Sequence, residues 1–333
     1  MPRQPELWQG RRVVVTGAGG FIGSHLVERL VDLGANVTAF VRYTSRHQPG
    51  QLDASRLERS VPIVSGDITE LETVRKVLDG TDTVFHLAAL VGIPYSYVHP
   101  AEVVDVNTVG TLNVLIAARE NDARRVVVTS TSEVYGSARY TPMDEEHPRQ
   151  PQSPYAASKI AADALALSFH RSFDLPVAVL RPFNTFGPRQ SDRAIIPTVI
   201  SQALSDADEV VLGNLAPRRD LTFVSDTVEG FVRIAESDAA IGQEVNLGSG
   251  RSVSIGELAE RIVSLVGRDI PIRQSEERIR PQGSEVVDLV ADTSRARELL
   301  GWQPEVSLDE GLAQTIEWVR SNPELYDPAS YRI

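Results

Sequence analysis

Arg12-Val-Val-Val-Thr16 runs directly into Gly17-Ala-Gly-Gly20-Phe-Ile-Gly23, and Ser24-His-Leu-Val-Glu-Arg-Leu30 follows. The β-branched run predicts a strand. Behind it Ile22, Leu26, Leu30 and Leu33 recur on one helical face. Glycines at 17, 20 and 23 permit a tight turn, close approach of backbone to a pyrophosphate, and tight packing of helix on strand. The spacing is GxxGxxG rather than the commoner GxGxxG, so its meaning comes from its place after the first strand of a βαβ unit. Gly17, Gly20, Phe21, Ile22 and Gly23 are accordingly expected to hold a dinucleotide.

Outward from this turn, β-rich runs alternate with helical patterns as far as residue 180. The further strands are expected at 36–41, 62–65, 83–87, 125–129 and 177–180. They are near-continuously apolar, as when helices cover both faces of a parallel sheet. Val106, Val109, Leu112 and Leu115 share a face in the fourth crossover, and the segment from Ala156 to Phe169 is alanine-rich. After Arg181 the rhythm breaks at Pro182-Phe-Asn-Thr-Phe-Gly-Pro188, although 220–246 again reads as strand-helix-strand and could return to the first sheet. The expected fold class is α/β: a Rossmann doubly wound parallel sheet at 1–181 with 220–246, and a smaller α/β substrate domain at 182–219 and 247–333.

The chain has 333 residues, 42% of them apolar, which suffices for a large core. Its net charge of −12 argues against a broad basic face for nucleic acid. It has no cysteine, which excludes disulfides, thiolate nucleophiles and Cys-ligated zinc. The six histidines show no ligand spacing, so no metal is expected. No continuous apolar run reaches the ~20 residues of a membrane span. The first ten residues lack the apolar core of a signal peptide. A cytoplasmic protein is expected.

Dinucleotide sites of this kind commonly place an acid about 20 residues on, at the end of the second strand, to hold a ribose 2′-hydroxyl. Here that position is Val41, followed by Arg42. A guanidinium without a carboxylate favours the 2′-phosphate of NADP. Stacking of Arg42 on adenine is the other reading, which leaves NAD open.

Of the 33 basic residues only Lys76 and Lys159 are lysine. A lysine retained in so arginine-rich a chain points to a task a guanidinium cannot perform. Lys159 closes Tyr155-Ala-Ala-Ser-Lys159, which puts phenol and ammonium one turn apart on a helix. The cation is expected to lower the tyrosine pKa, fitting Tyr155 for proton transfer. Upstream, the strand at 125–129 ends in the hydroxyl-rich Ser130-Thr-Ser-Glu133.

Together, Gly17-x-x-Gly20-x-x-Gly23, Asp67-Ile68, His86-Leu-Ala-Ala89, Thr131-Ser-Glu133, Tyr155/Lys159, Arg181-Pro-x-Asn184 and Gly187-Pro188 resemble the extended short-chain dehydrogenase/reductase family over nearly the whole chain. The resemblance implies a nucleotide-sugar enzyme in which Thr131, Tyr155 and Lys159 oxidise a sugar C4 hydroxyl. Asp67 and Ile68 would hold adenine. Leu87, Ala88, Ala89, Asn107, Thr129 and Pro182, with Tyr155 and Lys159, complete the implied cofactor set. Asn184, Arg219 and Arg280 resemble contacts to a sugar diphosphate, and Ile195, Ile196 and Pro197 resemble the wall around the base.

Within that family, Glu133 resembles the base of 4,6-dehydratases, which removes the C5 proton once C4 is a ketone. Its neighbour Ser132 resembles GDP-mannose 4,6-dehydratases, so Glu133 would also protonate the departing C6 hydroxyl. Residues 39–43 and 92–97 resemble the nucleotide-N-acetylglucosamine dehydratases of legionaminic acid pathways. A 4-epimerase or a UDP-glucuronate decarboxylase is the alternative, and a non-enzymatic dinucleotide sensor is disfavoured by the intact Thr-Tyr-Lys set. Apolar faces around 103–115 and 156–169 lead us to expect a homodimer joined by a four-helix bundle.

Overall fold

Val13 and Val15 face one side of the first strand and Val14 the other, and all three are buried. That double burial is why the strand reads as unbroken apolar sequence. The computed structural model describes residues 7–44, 50–52, 61–275, 286 and 288–326. Seven parallel strands form the main sheet: β1 (Arg12–Thr16), β2 (Asn36–Arg42), β3 (Ile63–Gly66), β4 (Thr83–His86), β5 (Arg125–Thr129), β6 (Val177–Pro182) and β10 (Glu244–Leu247). Their order is β10-β6-β5-β4-β1-β2-β3. The winding direction reverses between β1 and β4, which opens a crevice at the carboxyl ends of those strands.

Helices cover both faces. Leu26, Val27 and Leu30 of helix Phe21–Asp32 pack with Phe231 of helix Val224–Glu236 on the Val13/Val15 side. Val114 and Leu115 of helix Gly110–Glu120 and Ala166 of helix Pro154–Phe173 pack with Val14 on the other.

Helix Gly110–Glu120 continues from Pro100–Val104 through a π-helical turn at Asp105–Val109. The combined Pro100–Glu120 is, among the described residues, the one helix long and apolar enough to cross a membrane. It is not a continuous apolar run. Asp105, Asn107 and Asn113 interrupt the run, yet the segment's average still passes. Half of the segment is buried inside the fold, as expected of a core helix.

The smaller lobe centres on β9 (Arg218–Phe223), which pairs in parallel with β7 (Asn184–Phe186) and β13 (Asp288–Leu289) and antiparallel with β11 (Ser252–Ser254). A second, two-stranded sheet joins β8 (Val210–Leu212) to β12 (Ile272–Gln274). Helices Ile255–Val266 and Leu308–Ser321 each start in a reciprocal cap, Ser254/Glu257 and Ser307/Glu310. The stretch 220–246 has the expected strand-helix-strand elements, but only β10 joins the main sheet. Its first strand, β9, stays with the smaller lobe.

Candidate active site

At the end of β1 the chain turns at Gly17 with φ of +68°. A Cβ on Gly17 would stand 2.7 Å from the Ala88 backbone nitrogen, and one on Gly23 would stand 2.3 Å from the Gly17 carbonyl oxygen. Both positions therefore demand glycine. Gly20 is looser. It starts helix Phe21–Asp32 without a side-chain cap, so the helix N-terminus faces an anion site with its own N–H groups.

A cleft of about 1550 Å³ runs from this turn into the smaller lobe. Gly17, Gly20, Phe21, Ile22 and Gly23 form one end of it. Arg42, Asp67, Ile68, Leu87, Ala88, Ala89, Thr129 and Pro182 line the same wall. Thr129 Oγ1 is buried without a hydrogen-bond partner among the described residues. A glycine-only cradle, an uncapped helix end and an orphaned hydroxyl fit a dinucleotide with its pyrophosphate at the turn. The Arg42 charge reaches Tyr95, whose hydroxyl donates to Glu102 at 2.6 Å, and both line this end of the cleft.

Asn107 is not among the cleft-lining residues. It is fully buried, accepts from the Leu90 N–H at 2.7 Å, and donates to Ser158 Oγ at 3.0 Å. His86 lies next to it in a closed chain. Thr111 Oγ1 donates to the Asn107 carbonyl at 2.6 Å, so it accepts from His86 Nε2 at 2.9 Å. Thr16 Oγ1 accepts from the Ala88 N–H at 3.1 Å and meets His86 Nδ1 at 2.8 Å, which assigns a neutral Nε2–H imidazole. Burial, reinforced by Lys159, pulls the His86 pKa down to about 3.

Ser153 caps helix Pro154–Phe173 by accepting from the Ala156 N–H at 3.1 Å, and Pro154 opens the first turn. The cap fixes where Tyr155 and Lys159 emerge. Both are buried, and both meet Thr131, Ser132 and Glu133 in the cleft wall. Tyr155 is hydrogen-bonded to Thr131. Thr131 Oγ1 also accepts from the Glu133 N–H at 3.3 Å. Burial pushes the Tyr155 phenol above its ordinary value and the Glu133 and Asp163 carboxylates push the same way, against the Thr131 hydrogen bond. The downward pull expected from Lys159 is thus not the outcome here, because desolvation dominates. Burial lowers the Lys159 ammonium, and Asp163 resists that fall.

Beneath this wall, Asp163 Oδ2 accepts from Ser130 Oγ at 2.6 Å and from Arg181 Nη2 at 2.9 Å. Arg181 also donates to Glu244 Oε1 at 2.9 Å and to the Tyr135 hydroxyl at 2.6 Å. Arg181 and Asp163 are completely buried.

At the other end Asn184, Ile195, Ile196 and Arg219 line the cleft, and the buried Asn184 Nδ2 has no partner among the described residues. Pro197 is buried in its helix and is not among the lining residues. Arg280 lies outside the described residues. Gln190, Arg193 and Asn214 also line this end. They sit on loops whose sequence carries no periodicity or motif, so sequence reasoning passed over them. Nearby, Arg189 reaches back to helix Phe21–Asp32, donating to Glu28 Oε1 at 2.7 Å and to Ser24 Oγ at 3.2 Å. Among the described residues no group of three or more His, Asp or Glu is placed to hold a metal.

A parallel doubly wound sheet, a glycine turn at its switch point and a hydroxyl–tyrosine–lysine wall define a nicotinamide-dinucleotide enzyme of the extended short-chain dehydrogenase/reductase type. Within that class the chain belongs to the GDP-mannose 4,6 dehydratase family, whose model matches residues 14–315. It is 36% identical to a UDP-glucose 4-epimerase of Mycolicibacterium smegmatis, over 94% of this chain and 100% of that one. It is 33% identical to a UDP-N-acetyl-alpha-D-glucosaminuronate decarboxylase of Bacillus cytotoxicus, over 93% and 98%. The solved structure of the dTDP-glucose 4,6-dehydratase DesIV of Streptomyces venezuelae, with NAD bound, superposes with a TM-score of 0.87 at 30% identity, covering 96% of this chain and 100% of that one. The chain is an enzyme of the NAD-dependent nucleotide-sugar dehydratase/epimerase family.

Proposed function

We propose that the protein is a nucleotide-sugar 4,6-dehydratase, converting an NDP-hexose such as NDP-N-acetylglucosamine to the NDP-4-keto-6-deoxy sugar. The observation that carries this reading is the carboxylate of Glu133 in the cleft wall beside Thr131 and Tyr155. A nicotinamide dinucleotide, held by the glycine turn at Gly17–Gly23 and by Tyr155 and Lys159, would supply the hydride chemistry that links oxidation at C4 to reduction at C6. Tyr155, hydrogen-bonded to Thr131, would exchange the C4 hydroxyl proton, and the Lys159 ammonium would hold ribose and phenol in place. Oxidation at C4 acidifies the C5–H; Glu133 would take that proton and pass it to the departing C6 hydroxyl, so that water leaves, and the C4 hydroxyl proton received by Tyr155 would return to C5 as C6 is reduced. Asn184 and Arg219 would hold the diphosphate, with Ile195 and Ile196 against the base.

Arg42 supports NADP, whereas the Tyr95–Glu102 pair near it would oppose a 2′-phosphate, and the DesIV neighbour carries NAD. We therefore propose NAD or NADP, distinguished by the Arg42 variant below. A homodimer in the cytoplasm completes the proposal. Incubation with UDP-, GDP- and dTDP-sugars followed by mass spectrometry tests it. Loss of one water supports the dehydratase; loss of carbon dioxide from an NDP-uronate, or a change of sugar at constant mass, would replace it with the decarboxylase or the epimerase.

A further inference from the structure

Asp163 stands one helical turn beyond Lys159 on the helix that carries Tyr155, where side chains four apart share a face. It is fully buried. Its Oδ2 is clamped by Ser130 and Arg181, while Oδ1 has no hydrogen-bond partner among the described residues. A buried carboxylate with one satisfied and one unsatisfied oxygen is costly unless a positive charge lies close. Arg181 supplies part of that charge, but Glu244 shares its Nη2. The remaining buried cation on this face is Lys159.

We propose that Asp163 is a positioning residue, whose anion keeps Lys159 an ammonium beneath the cleft and links it through Arg181 to the strand ends of β6 and β10. The inference rests on the short-chain dehydrogenase site, not on the choice among dehydratase, epimerase and decarboxylase. The groups that bear on Lys159 are few. His86 on β4 is neutral, Tyr155 is a phenol at neutral pH, and Glu133 lies across the cleft wall beside Tyr155. Arg181 opposes a cation nearby, and Glu244 offsets it. Asp163 is the one anion on the lysine's own helix face, and it raises the lysine's proton affinity against the cost of burial.

The lysine content makes a direct test possible. The chain has two lysines, and Lys76 is exposed. Lysine labelled with ¹³C at Cε therefore gives two resonances that report ionisation, and Lys76→Arg assigns them. In the NAD-loaded protein, the Asp163→Asn variant keeps an oxygen for Ser130 and Arg181 but loses the charge. Its Lys159 resonance is expected to deprotonate at lower pH, with proton affinity reduced about tenfold or more. The Glu244→Gln variant, which alters Arg181 from its far side, is expected to leave the Lys159 midpoint within about twofold in proton affinity. An unmoved Lys159 in Asp163→Asn, or equal shifts in both variants, would overturn the proposal. Should Asp163→Asn not fold, the wild type decides, since a Lys159 already deprotonated at neutral pH contradicts a retained ammonium. No substrate is used, so failure of the dehydratase reading and failure of this inference are separate results.

Discussion

Asn107 Nδ2 donates to Ser158 Oγ at 3.0 Å, and Ser158 Oγ donates to the Tyr155 carbonyl at 2.7 Å. The π-helical turn at Asp105–Val109 is thereby tied to the helix that carries Tyr155 and Lys159. The same asparagine accepts from the N–H of Leu90, which follows the cleft-lining Leu87–Ala89. One buried amide sets two walls of the cleft against each other.

Replacing Asn107 by Ala leaves the Leu90 N–H and Ser158 Oγ without their partner in a buried setting. A stability loss of about 2–4 kcal/mol is expected, read as a lower denaturation midpoint in urea. NAD affinity should fall with it, although Asn107 is not part of the cleft lining. Unchanged affinity in a folded variant would confine Asn107 to stability.

Glu133→Gln keeps size and hydrogen bonding but cannot take the C5 proton. Dehydration is expected to drop about 100- to 10,000-fold, the range for loss of a general base. Oxidation at C4 should survive, so the absorbance of reduced nicotinamide should build up on the enzyme. Lys159→Arg, whose planar guanidinium cannot replace a compact ammonium, should abolish even that first signal. Near-normal turnover in Glu133→Gln without trapped reduced cofactor would favour the epimerase.

For the cofactor, Arg42→Ala is expected to weaken NADP more than NAD, by about tenfold for one charge-assisted contact of 1.5 kcal/mol. Isothermal titration with both dinucleotides measures the difference. Equal weakening would place Arg42 on the adenine or ribose instead of a 2′-phosphate.

His86 makes stability depend on acid. Its folded pKa, about 3, lies below the ordinary 6.5, so between those values the unfolded chain binds a proton that the folded chain refuses. Its contribution is fully present above pH 6.5 and lost as pH falls toward 3, by roughly 1.4 kcal/mol per unit. A His86→Gln variant, having no imidazole to titrate, should show a shallower decline of melting temperature with acidification than the wild type.

Val98 and Val104 are exposed at 68% and 43% on the segment that leads into helix Gly110–Glu120, and Phe173 is exposed at 49% at the end of helix Pro154–Phe173. Covering these apolar side chains by pairing with a second copy is the expected use of this face. Light scattering at micromolar concentration should give twice the monomer mass, and Val98→Glu with Val104→Glu should restore the monomer.

Strand and helix types were legible because burial on both sides of a parallel sheet writes itself into sequence as apolar runs. The glycine turn was legible because Gly17 and Gly23 admit no other residue. Asn107 marks a limit of motif reasoning: position in a pattern does not say which way an amide points, and here it points from a π turn to Leu90 and Ser158, behind the cleft lining. Tyr155 marks another, since spacing reveals a cation one turn away but not the desolvation that outweighs it. Of the strand-helix-strand read at 220–246, β10 returns to the first sheet and β9 does not, because local sequence does not encode pairing partners. Gln190, Arg193 and Asn214 became visible only when folding brought separate loops to one cleft.

Helix Phe21–Asp32 lines the cleft with Phe21, Ile22 and Gly23, and its Ser24 and Glu28 hold Arg189 of the smaller lobe. Rotating that lobe away would strand a nearly buried ion pair, with side chains 11% and 10% exposed. Wide separation of the lobes therefore carries a penalty. For the proposed reaction, which would hand back its own hydride in every cycle, such a clasp would suit a cofactor that stays in place like a sealed cartridge.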